Sequence, residues 1–166
     1  MEEISSKYLE WGNAHEDAAR SNYEFTTGYE VTQVPFVFKD DTFRVGCSPD
    51  SLIMSAQKGC EIKCPFNTVH FVKFLTEDKL KPEYVWQNQF QMWITDAMVW
   101  DAVQYDPRMK TKPMHIVTIE RDEKAMKALE DAVPQFIADM DKILEKAGAK
   151  FGDHWLRISQ TKSGAA

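Results

Sequence analysis

Long apolar segments are missing from this 166-residue chain, and no run approaches the roughly 20 residues that a membrane-spanning helix needs. No secretory signal precedes the first predicted helix. Cysteine is also scarce, and the odd count of Cys47, Cys60 and Cys64 in apolar strand contexts favours reduced core residues over a disulfide framework. These cysteines lack the paired CxxC spacing of zinc sites. We therefore expect a cytoplasmic protein without a membrane partner.

Positively charged residues are fewer than negatively charged ones. The chain has 20 Lys and Arg and 26 Asp and Glu, which gives a net charge of −6. A nucleic-acid-binding protein usually carries a basic surface. The distribution of charge qualifies that argument, because acidic residues concentrate in the last predicted helix. Basic residues gather in two clusters: Lys73, Lys79 and Lys81, and Arg108, Lys110 and Lys112. One basic groove with an acidic back is compatible with this composition.

The chain is long enough for one domain with a substantial core, and we predict a single domain over residues 1–166. Its element order predicts an α/β (α+β) fold with a central mixed sheet flanked by helices. Four successive strands with tight connections predict an antiparallel meander. The predicted elements are a helix within 1–27, strands at 31–39, 43–47, 47–54 and 59–65, helices at 68–75 and 82–97, strands at 99–105 and 115–119, a final helix that Asp122 caps and Pro134 kinks or splits, and a loose tail at 160–166.

A hairpin at the centre of this pattern carries the most informative side chains. Asp50 begins one strand, while Glu61 and Lys63 lie two residues apart on the other and face the same side, roughly 6.6 Å apart. Ile62 points into the core. Carboxylate oxygens are the ligands that Mg²⁺ prefers, and the ion activates water for attack on phosphate. The pattern therefore indicates a magnesium-dependent phosphodiesterase, with a turn cap at Asp50 and a solvated Glu61–Lys63 face as the alternative.

Two helices supply further candidates. Glu16 lies on a partly buried helix face one turn after Gly12, and a helical glycine predicts a close approach by another backbone. An exposed glutamate is the alternative for Glu16. Tyr84, Gln87 and Gln91 share one face of the later helix and could hold a phosphate or a water, with an ordinary polar surface as the alternative. The predicted apolar stripe of that helix is Trp86, Phe90, Trp93 and Ile94.

Several of these segments occur together in one known family. They are Trp11-Gly12-x-x-x-Glu16, Ser48-Pro49-Asp50, Glu61-Ile62-Lys63-Cys64-Pro65-Phe66, Tyr84-x-x-Gln87 and Tyr105-Asp106-Pro107-Arg108. These segments keep the order that they have in the family over residues 11 to 156. The chain therefore resembles the bacteriophage lambda exonuclease family. This is the YqaJ type of viral recombinase, within the PD-(D/E)xK nuclease superfamily.

The resemblance implies a processive exonuclease that degrades the 5′-ended strand of linear duplex DNA and leaves 3′ overhangs for recombination. It implies Mg²⁺ as cofactor, with Mn²⁺ expected to substitute. It also implies a ring-shaped homotrimer, a single-strand annealing protein as partner, and the cytoplasm of a bacterial host cell as location.

Residue roles follow from the same resemblance, position by position. Asp50, Glu61 and the backbone carbonyl of Ile62 are expected to bind the metal. Lys63 is expected to orient the attacking water, and Glu16 to help hold the metal site. Supporting, substrate-binding roles fall to Ser48, Tyr84 and Gln87.

Two departures from the family pattern bear on the substrate. Family members carry a segment before the Trp-Gly helix with an arginine that grips the 5′ phosphate, whereas this sequence starts almost at that helix. One example of the family also has an arginine shortly after Cys-Pro-Phe, where this chain has residues 67–70, Asn-Thr-Val-His. Both departures are expected to weaken recognition of the 5′ phosphate. The alternatives are an end-blind nuclease and a catalytically silent DNA-binding or annealase-binding module, although intact Asp50, Glu61 and Lys63 argue against the latter.

Overall fold

The computed structural model of the protein describes residues 4–153, with side chains described from residue 7 onward. The chain divides into two compact units, the first ending at Met126 and the second starting at Lys127. The tail predicted at 160–166 lies outside the described residues. The elements are α1 (Ile4–Thr27), β1 (Val37–Phe38), β2 (Gly46–Cys47), β3 (Ser51–Ile53), a 3₁₀ turn (Met54–Ala56), β4 (Lys58–Lys63), α2 (Thr68–Glu77), α3 (Pro82–Thr95), β5 (Val99–Tyr105), β6 (Met114–Glu120) and α4 (Glu123–Lys146).

The main sheet has the strand order β3-β4-β5-β6. The β4–β5 pair is parallel and the two outer pairs are antiparallel, which confirms the predicted mixed sheet. In this register Glu61 lies opposite Ala102 and Lys63 opposite Gln104. The strand that carries the candidate site therefore lies inside the sheet, with a hydrogen-bonded neighbour on each side.

The predicted four-strand meander is wrong, because β1 and β2 form a separate two-stranded sheet. Before them, Thr32 exchanges two backbone hydrogen bonds with Leu52, of 2.7 and 2.9 Å, in an isolated bridge to β3. Pro35 lacks the N–H that would continue a strand ladder. The segment therefore contributes one bridge to the main sheet and then leaves it.

The two faces of the main sheet carry separate cores. On one face Ala19 and Tyr23 of α1 pack with apolar side chains from all four strands: Ile53, Cys60, Ile62, Val103, Tyr105 and Met114. On the other face Met92 of α3 packs with Trp100. Gly59 makes room for that indole, since an added Cβ would lie 2.3 Å from the Trp100 ring. Helices thus flank the sheet, as predicted.

A buried ionic network lies on the α1 face. The carboxylate of Asp101, which is 2% exposed, accepts hydrogen bonds from Tyr23 Oη at 2.6 Å and Thr118 Oγ1 at 2.8 Å. Lys58 Nζ lies 2.7 Å from Asp101 Oδ2. Burial, and then the hydrogen bond and charge of Asp101, raise the pKa of Tyr23 above its ordinary value. One carboxylate therefore joins α1 to three strands of the sheet.

The predicted apolar stripe of α3 is only partly right. Trp93 and Ile94 are buried, but Trp86 is 51% exposed. The helix instead buries three polar side chains, Asn88, Gln89 and Gln91. The amide of Gln89 donates to the carbonyl oxygen of Glu120 at 2.8 Å and accepts from the Asp122 N–H at 2.9 Å. Buried polar groups are tolerated where they find such partners.

Helix ends follow the sequence more closely than helix interiors do. Gly28 has φ 71° and its N–H donates to the Glu24 carbonyl, which confirms the predicted left-handed end of α1. Asp122 Oδ1 accepts from the Lys124 N–H at 2.8 Å, which confirms the predicted cap of α4. Pro134 lies inside α4 without splitting it. An added Cβ at Gly12 meets nothing within 4 Å, so the predicted close backbone approach there is wrong.

Across residues 4–153, none of the helices is long and apolar enough to cross a membrane.

Candidate active site

The β3–β4 hairpin brings the predicted acids and lysine together. Asp50 directly precedes β3, and its Oδ2 accepts a 2.6 Å hydrogen bond from the Ile62 N–H of β4. Lys63 Nζ forms an ion pair with Glu61 Oε1. The Ile62 side chain packs in the opposite core, as the alternation of β4 predicts. Two carboxylates and one ammonium therefore share one end of the hairpin.

Glu61 is the most tightly held of these groups. It is 5% exposed, and Gln87 Nε2 donates to its Oε1 at 2.6 Å while Gln91 Nε2 donates to its Oε2 at 2.7 Å. Residues four apart in a helix share a face, so α3 can present both amides to one carboxylate. The Tyr84 ring centroid lies 5.6 Å from Lys63 Nζ on the same helix face. The face that carries Tyr84, Gln87 and Gln91 therefore lies beside the hairpin, and the role of these side chains in holding a phosphate or a water stays a prediction.

The charges at the hairpin are not balanced. Burial, and then the negative charge of Glu61, raise the pKa of Asp50 to about 6, although the Ile62 N–H and Lys63 oppose the shift. Burial opposes the charged form of Lys63, but the charge and hydrogen bond of Glu61 and the charge of Asp50 raise its pKa above the ordinary value. Lys63 is therefore an ammonium at neutral pH. One ammonium beside two carboxylates, the buried Glu61 and the half-buried Asp50, leaves negative charge that a further cation could balance.

The third predicted acid approaches the hairpin from α1. Glu16 lines the same cavity as Asp50, and its Oε1 lies 2.6 Å from Arg20 Nη2. Within residues 4–153 there is no preformed group of three or more His, Cys, Asp or Glu side chains placed to hold a metal. Hard oxygen donors from Asp50 and Glu61 nonetheless suit a divalent cation such as Mg²⁺.

An open cavity of about 1410 Å³ lies over the hairpin. Asp50, Ile62 and Lys63 line its inner part. The basic residues on its wall are Lys73, Lys79, Lys81 and Arg108, and the apolar ones include Tyr8, Leu9, Phe66 and Val69. An acidic protein thus has a basic groove next to its buried carboxylates, as the charge distribution of the sequence allowed.

Arg108 shapes one wall of this cavity. Its guanidinium donates to both carboxylate oxygens of Asp106 at 2.7 and 2.8 Å, and to the carbonyl oxygens of Pro65 and Phe66 at 3.0 and 2.9 Å. It also lies 4.4 Å from the centroid of the Trp11 ring. Arg108 therefore fixes the loop that follows β4 against α1 and the β5–β6 turn. Sequence reasoning placed Arg108 in a basic cluster and in a segment that matches the family, and it assigned no structural role to the residue.

Ser48 lies apart from these groups. It is exposed, and its hydroxyl donates to the Pro35 carbonyl oxygen at 2.8 Å. Its supporting role stays a prediction. Sequence reasoning missed Arg20, whose position four residues after Glu16 on one helix face was the signal that could have found it.

The fold places the protein in the class of the alkaline exonucleases, as the solved structures similar to it show. The chain is 31% identical to the alkaline exonuclease LHK-Exo of Laribacter hongkongensis in its crystal structure, with a TM-score of 0.78 over 98% of this chain and 78% of that one. LHK-Exo in complex with dAMP gives 33% identity and a TM-score of 0.79 over 89% and 75%. A phage-related exonuclease of Haemophilus somnus 129PT, at 18% identity and a TM-score of 0.63 over 81% and 74%, shares the fold.

The family follows from the sequence. The model of the YqaJ-like viral recombinase domain matches residues 1–98, and the chain belongs to that family. The uncharacterized protein ExoD of Escherichia coli (strain K12) is 42% identical over 78 residues, which are 47% of this chain and 90% of ExoD. The predicted resemblance to lambda exonuclease-like proteins is confirmed, and these relationships support a nuclease function.

The raised pKa of Asp50 makes stability depend on pH. Folded Asp50 binds its proton near pH 6, whereas its ordinary value is 3.8, so the charged carboxylate weakens the fold above pH 6. That penalty is lost as the pH falls through 6 toward 3.8. In EDTA, Asp50→Asn is therefore expected to melt above the wild type at about pH 7.5, with a gap that narrows as the pH falls below 6 and closes toward 3.8.

Melting curves of both proteins across that pH range measure the gap. Asp96→Asn is a suitable control, because it makes the same chemical change at a carboxylate that is exposed. A constant gap for Asp50→Asn would show that Asp50 is not the group that titrates.

Proposed function

We propose that the protein is a Mg²⁺-dependent deoxyribonuclease that digests linear double-stranded DNA from its ends, in the 5′-to-3′ direction, and leaves 3′ overhangs. The observation that carries the proposal is the placement of Asp50, Glu61 and Lys63 together beneath a cavity with a basic wall. Phosphodiester hydrolysis needs charge compensation at the phosphate and an oriented water, and this group can supply both.

Asp50, Glu61 and the Ile62 carbonyl would hold the divalent cation, with Mn²⁺ as a substitute for Mg²⁺. When bound, such an ion stabilises negative charge on the phosphate and lowers the pKa of a coordinated water. The two glutamine amides of α3 fix the orientation of Glu61, because each donates to one of its oxygens. Lys63 donates a hydrogen bond to the attacking water from an ammonium that Glu61 holds in place.

The wall of the cavity suits a DNA backbone. Lysines bind phosphates without reading sequence, and Lys73, Lys79 and Lys81 lie along one side of the opening. Tyr84 extends that side toward Lys63. The name of LHK-Exo as an alkaline exonuclease agrees with a DNA-end substrate. A homotrimer and a single-strand annealing partner complete the proposal, and both rest on the family resemblance.

A second candidate is an end-blind nuclease of the same fold. It is favoured because the arginine on the cavity wall already donates its hydrogen bonds to protein acceptors. Arg108 is the arginine on the cavity wall within the described range, and its donors are committed to Asp106, Pro65 and Phe66. Val69 is exposed in the segment where one example of the family has an arginine. Capture of a 5′ phosphate would then depend on lysines, which bind as point charges without a bidentate fork.

Digestion of three substrates side by side tests these alternatives: 5′-phosphorylated linear, 5′-hydroxyl linear and closed circular duplexes, each with Mg²⁺ and with EDTA. We expect loss of the 5′-ended strand of linear DNA with Mg²⁺ alone, and no cutting of the circle. Glu61→Gln keeps the shape and removes the charge, so it serves as the inactive control. Cutting of the circle would favour the end-blind nuclease, and retention of the 5′-ended strand would contradict the proposed polarity.

A further inference from the structure

Arg20 is a buried cation that the proposed chemistry does not use. Arg20 is 7% exposed. Its guanidinium donates hydrogen bonds to Glu16 Oε1 at 2.6 Å, Asp17 Oδ1 at 2.7 Å and Ser51 Oγ at 3.2 Å. In the amide orientation that satisfies both side chains, the Gln33 oxygen accepts from Nη1 and Nη2 at 2.8 Å each. All three guanidinium nitrogens therefore have protein acceptors.

These contacts join two parts of the candidate site. Ser51 is fully buried, its hydroxyl donates to the Asp50 carbonyl oxygen at 2.6 Å, and it pairs with Cys60 across the hairpin. Arg20 thus connects the Glu16 carboxylate on α1 with the backbone that carries Asp50. Glu16 and Asp50 both line the cavity, and this connection sets where one lies relative to the other.

We propose that Arg20 is a positioning residue for cation binding, which holds Glu16 in reach of the Asp50 site. The inference rests on the proposed function, because it takes Glu16 as part of the cation site. A planar guanidinium presents five donors in a fixed fork, and it can hold acceptors on two elements at once. A lysine at the same position would keep the positive charge and lose that geometry.

The positive charge of Arg20 and its positioning of Glu16 predict opposite effects on cation affinity when Arg20 is removed. A positive group near a cation site repels the cation, so removing Arg20 would tighten binding if its charge were all that mattered. If Arg20 positions Glu16, its loss weakens binding even though the repulsion is relieved. Replacing groups that orient metal ligands typically costs about 10- to 100-fold in metal affinity.

Calorimetric titration of Mg²⁺, without DNA, into wild type, Arg20→Lys, Glu16→Gln and the double variant measures the effect. We expect Arg20→Lys to weaken Mg²⁺ binding at least about tenfold in the wild-type background and to have no further effect with Glu16→Gln. Asp17→Asn is the matched control. It removes the negative charge of another partner of Arg20, whose side chain is 95% exposed, and its Mg²⁺ affinity should equal that of the wild type.

Wild-type or tighter binding by Arg20→Lys overturns the proposal, and equal weakening in both backgrounds shows a structural role alone. Should Arg20→Lys fail to fold, Ser51→Ala cuts the same connection at its Asp50 end and is expected to weaken binding several-fold. A folded Ser51→Ala with wild-type affinity would also overturn the proposal. Absence of Mg²⁺ binding by the wild type would overturn the proposed function as well, which separates the two failures.

Discussion

Replacement of Lys63 by alanine or by arginine is expected to slow DNA cleavage at least about a hundredfold while duplex binding is retained. The Lys63 ammonium is paired with Glu61 and lies beside the Tyr84 ring, so its position is fixed. If Lys63 only offset phosphate charge, arginine would preserve most of the rate. A planar guanidinium cannot place one donor where a compact ammonium lies, so arginine should fail nearly as badly as alanine.

Single-turnover cleavage with Mg²⁺, and duplex binding measured with Ca²⁺, separate the rate from the affinity. Lys81→Ala is the matched control, because Lys81 Nζ lies 5.7 Å from the same Tyr84 ring without a Glu61 partner. It should weaken binding and keep the rate at saturating DNA. A wild-type rate for Lys63→Ala would exclude a catalytic role. A wild type that binds duplex and never cuts it with Mg²⁺ or Mn²⁺ would be a silent binding module.

Asp101→Asn is expected to cause the largest loss of stability, about 3–5 kcal/mol. The carboxylate is the counter-ion of Lys58, whose side chain is 11% exposed. It also accepts a hydrogen bond from the Tyr23 hydroxyl of α1. The substitution leaves the Lys58 ammonium buried without a negative partner. At about 2–4 °C per kcal/mol for a chain of this size, the melting temperature should fall by about 10 °C.

The same Asp-to-Asn change at Asp96 provides the control. Asp96 also pairs with a lysine, Lys39, at 2.9 Å, but its side chain is 76% exposed, and asparagine tolerates its φ of 55°. Its melting temperature should stay close to that of the wild type. The double variant Lys58→Met/Asp101→Asn should recover part of the loss, since the unpaired charge is removed. Equal effects of Asp101→Asn and Asp96→Asn would show that the buried network does not stabilise the fold.

The hairpin could be predicted from the sequence because strand alternation is a local property. Glu61 and Lys63 two residues apart must face one side and Ile62 the other, and the structure shows that arrangement. Helix ends were equally accessible, since Gly28 and Asp122 act through their immediate neighbours. The class of fold and the family were therefore within reach of the sequence.

The interior of α3 could not be predicted in the same way. Periodicity assigns apolar residues to the buried face, so Trp86 was expected inside. The structure instead buries Gln91, because the carboxylate of Glu61 needs hydrogen-bond donors and the sheet brings it to that helix. Such a requirement arises only between elements distant in sequence. The meander failed at an earlier point of the chain, since β1 and β2 pair with each other and only the Thr32–Leu52 bridge joins that segment to β3.

The parallel pairing of β4 with β5 has a consequence for the order of folding. The β3–β4 hairpin is local and can form early, whereas β5 reaches β4 only after α2 and α3 have been made and placed. Asp50 and Glu61 therefore meet first, and the amides that hold Glu61 arrive later. Until then β4 is an open strand edge, which favours association between unfinished chains. Slow formation of the parallel β4–β5 pair would make aggregation during synthesis the main hazard for this protein. Loss of the catalytic groups would be a smaller one.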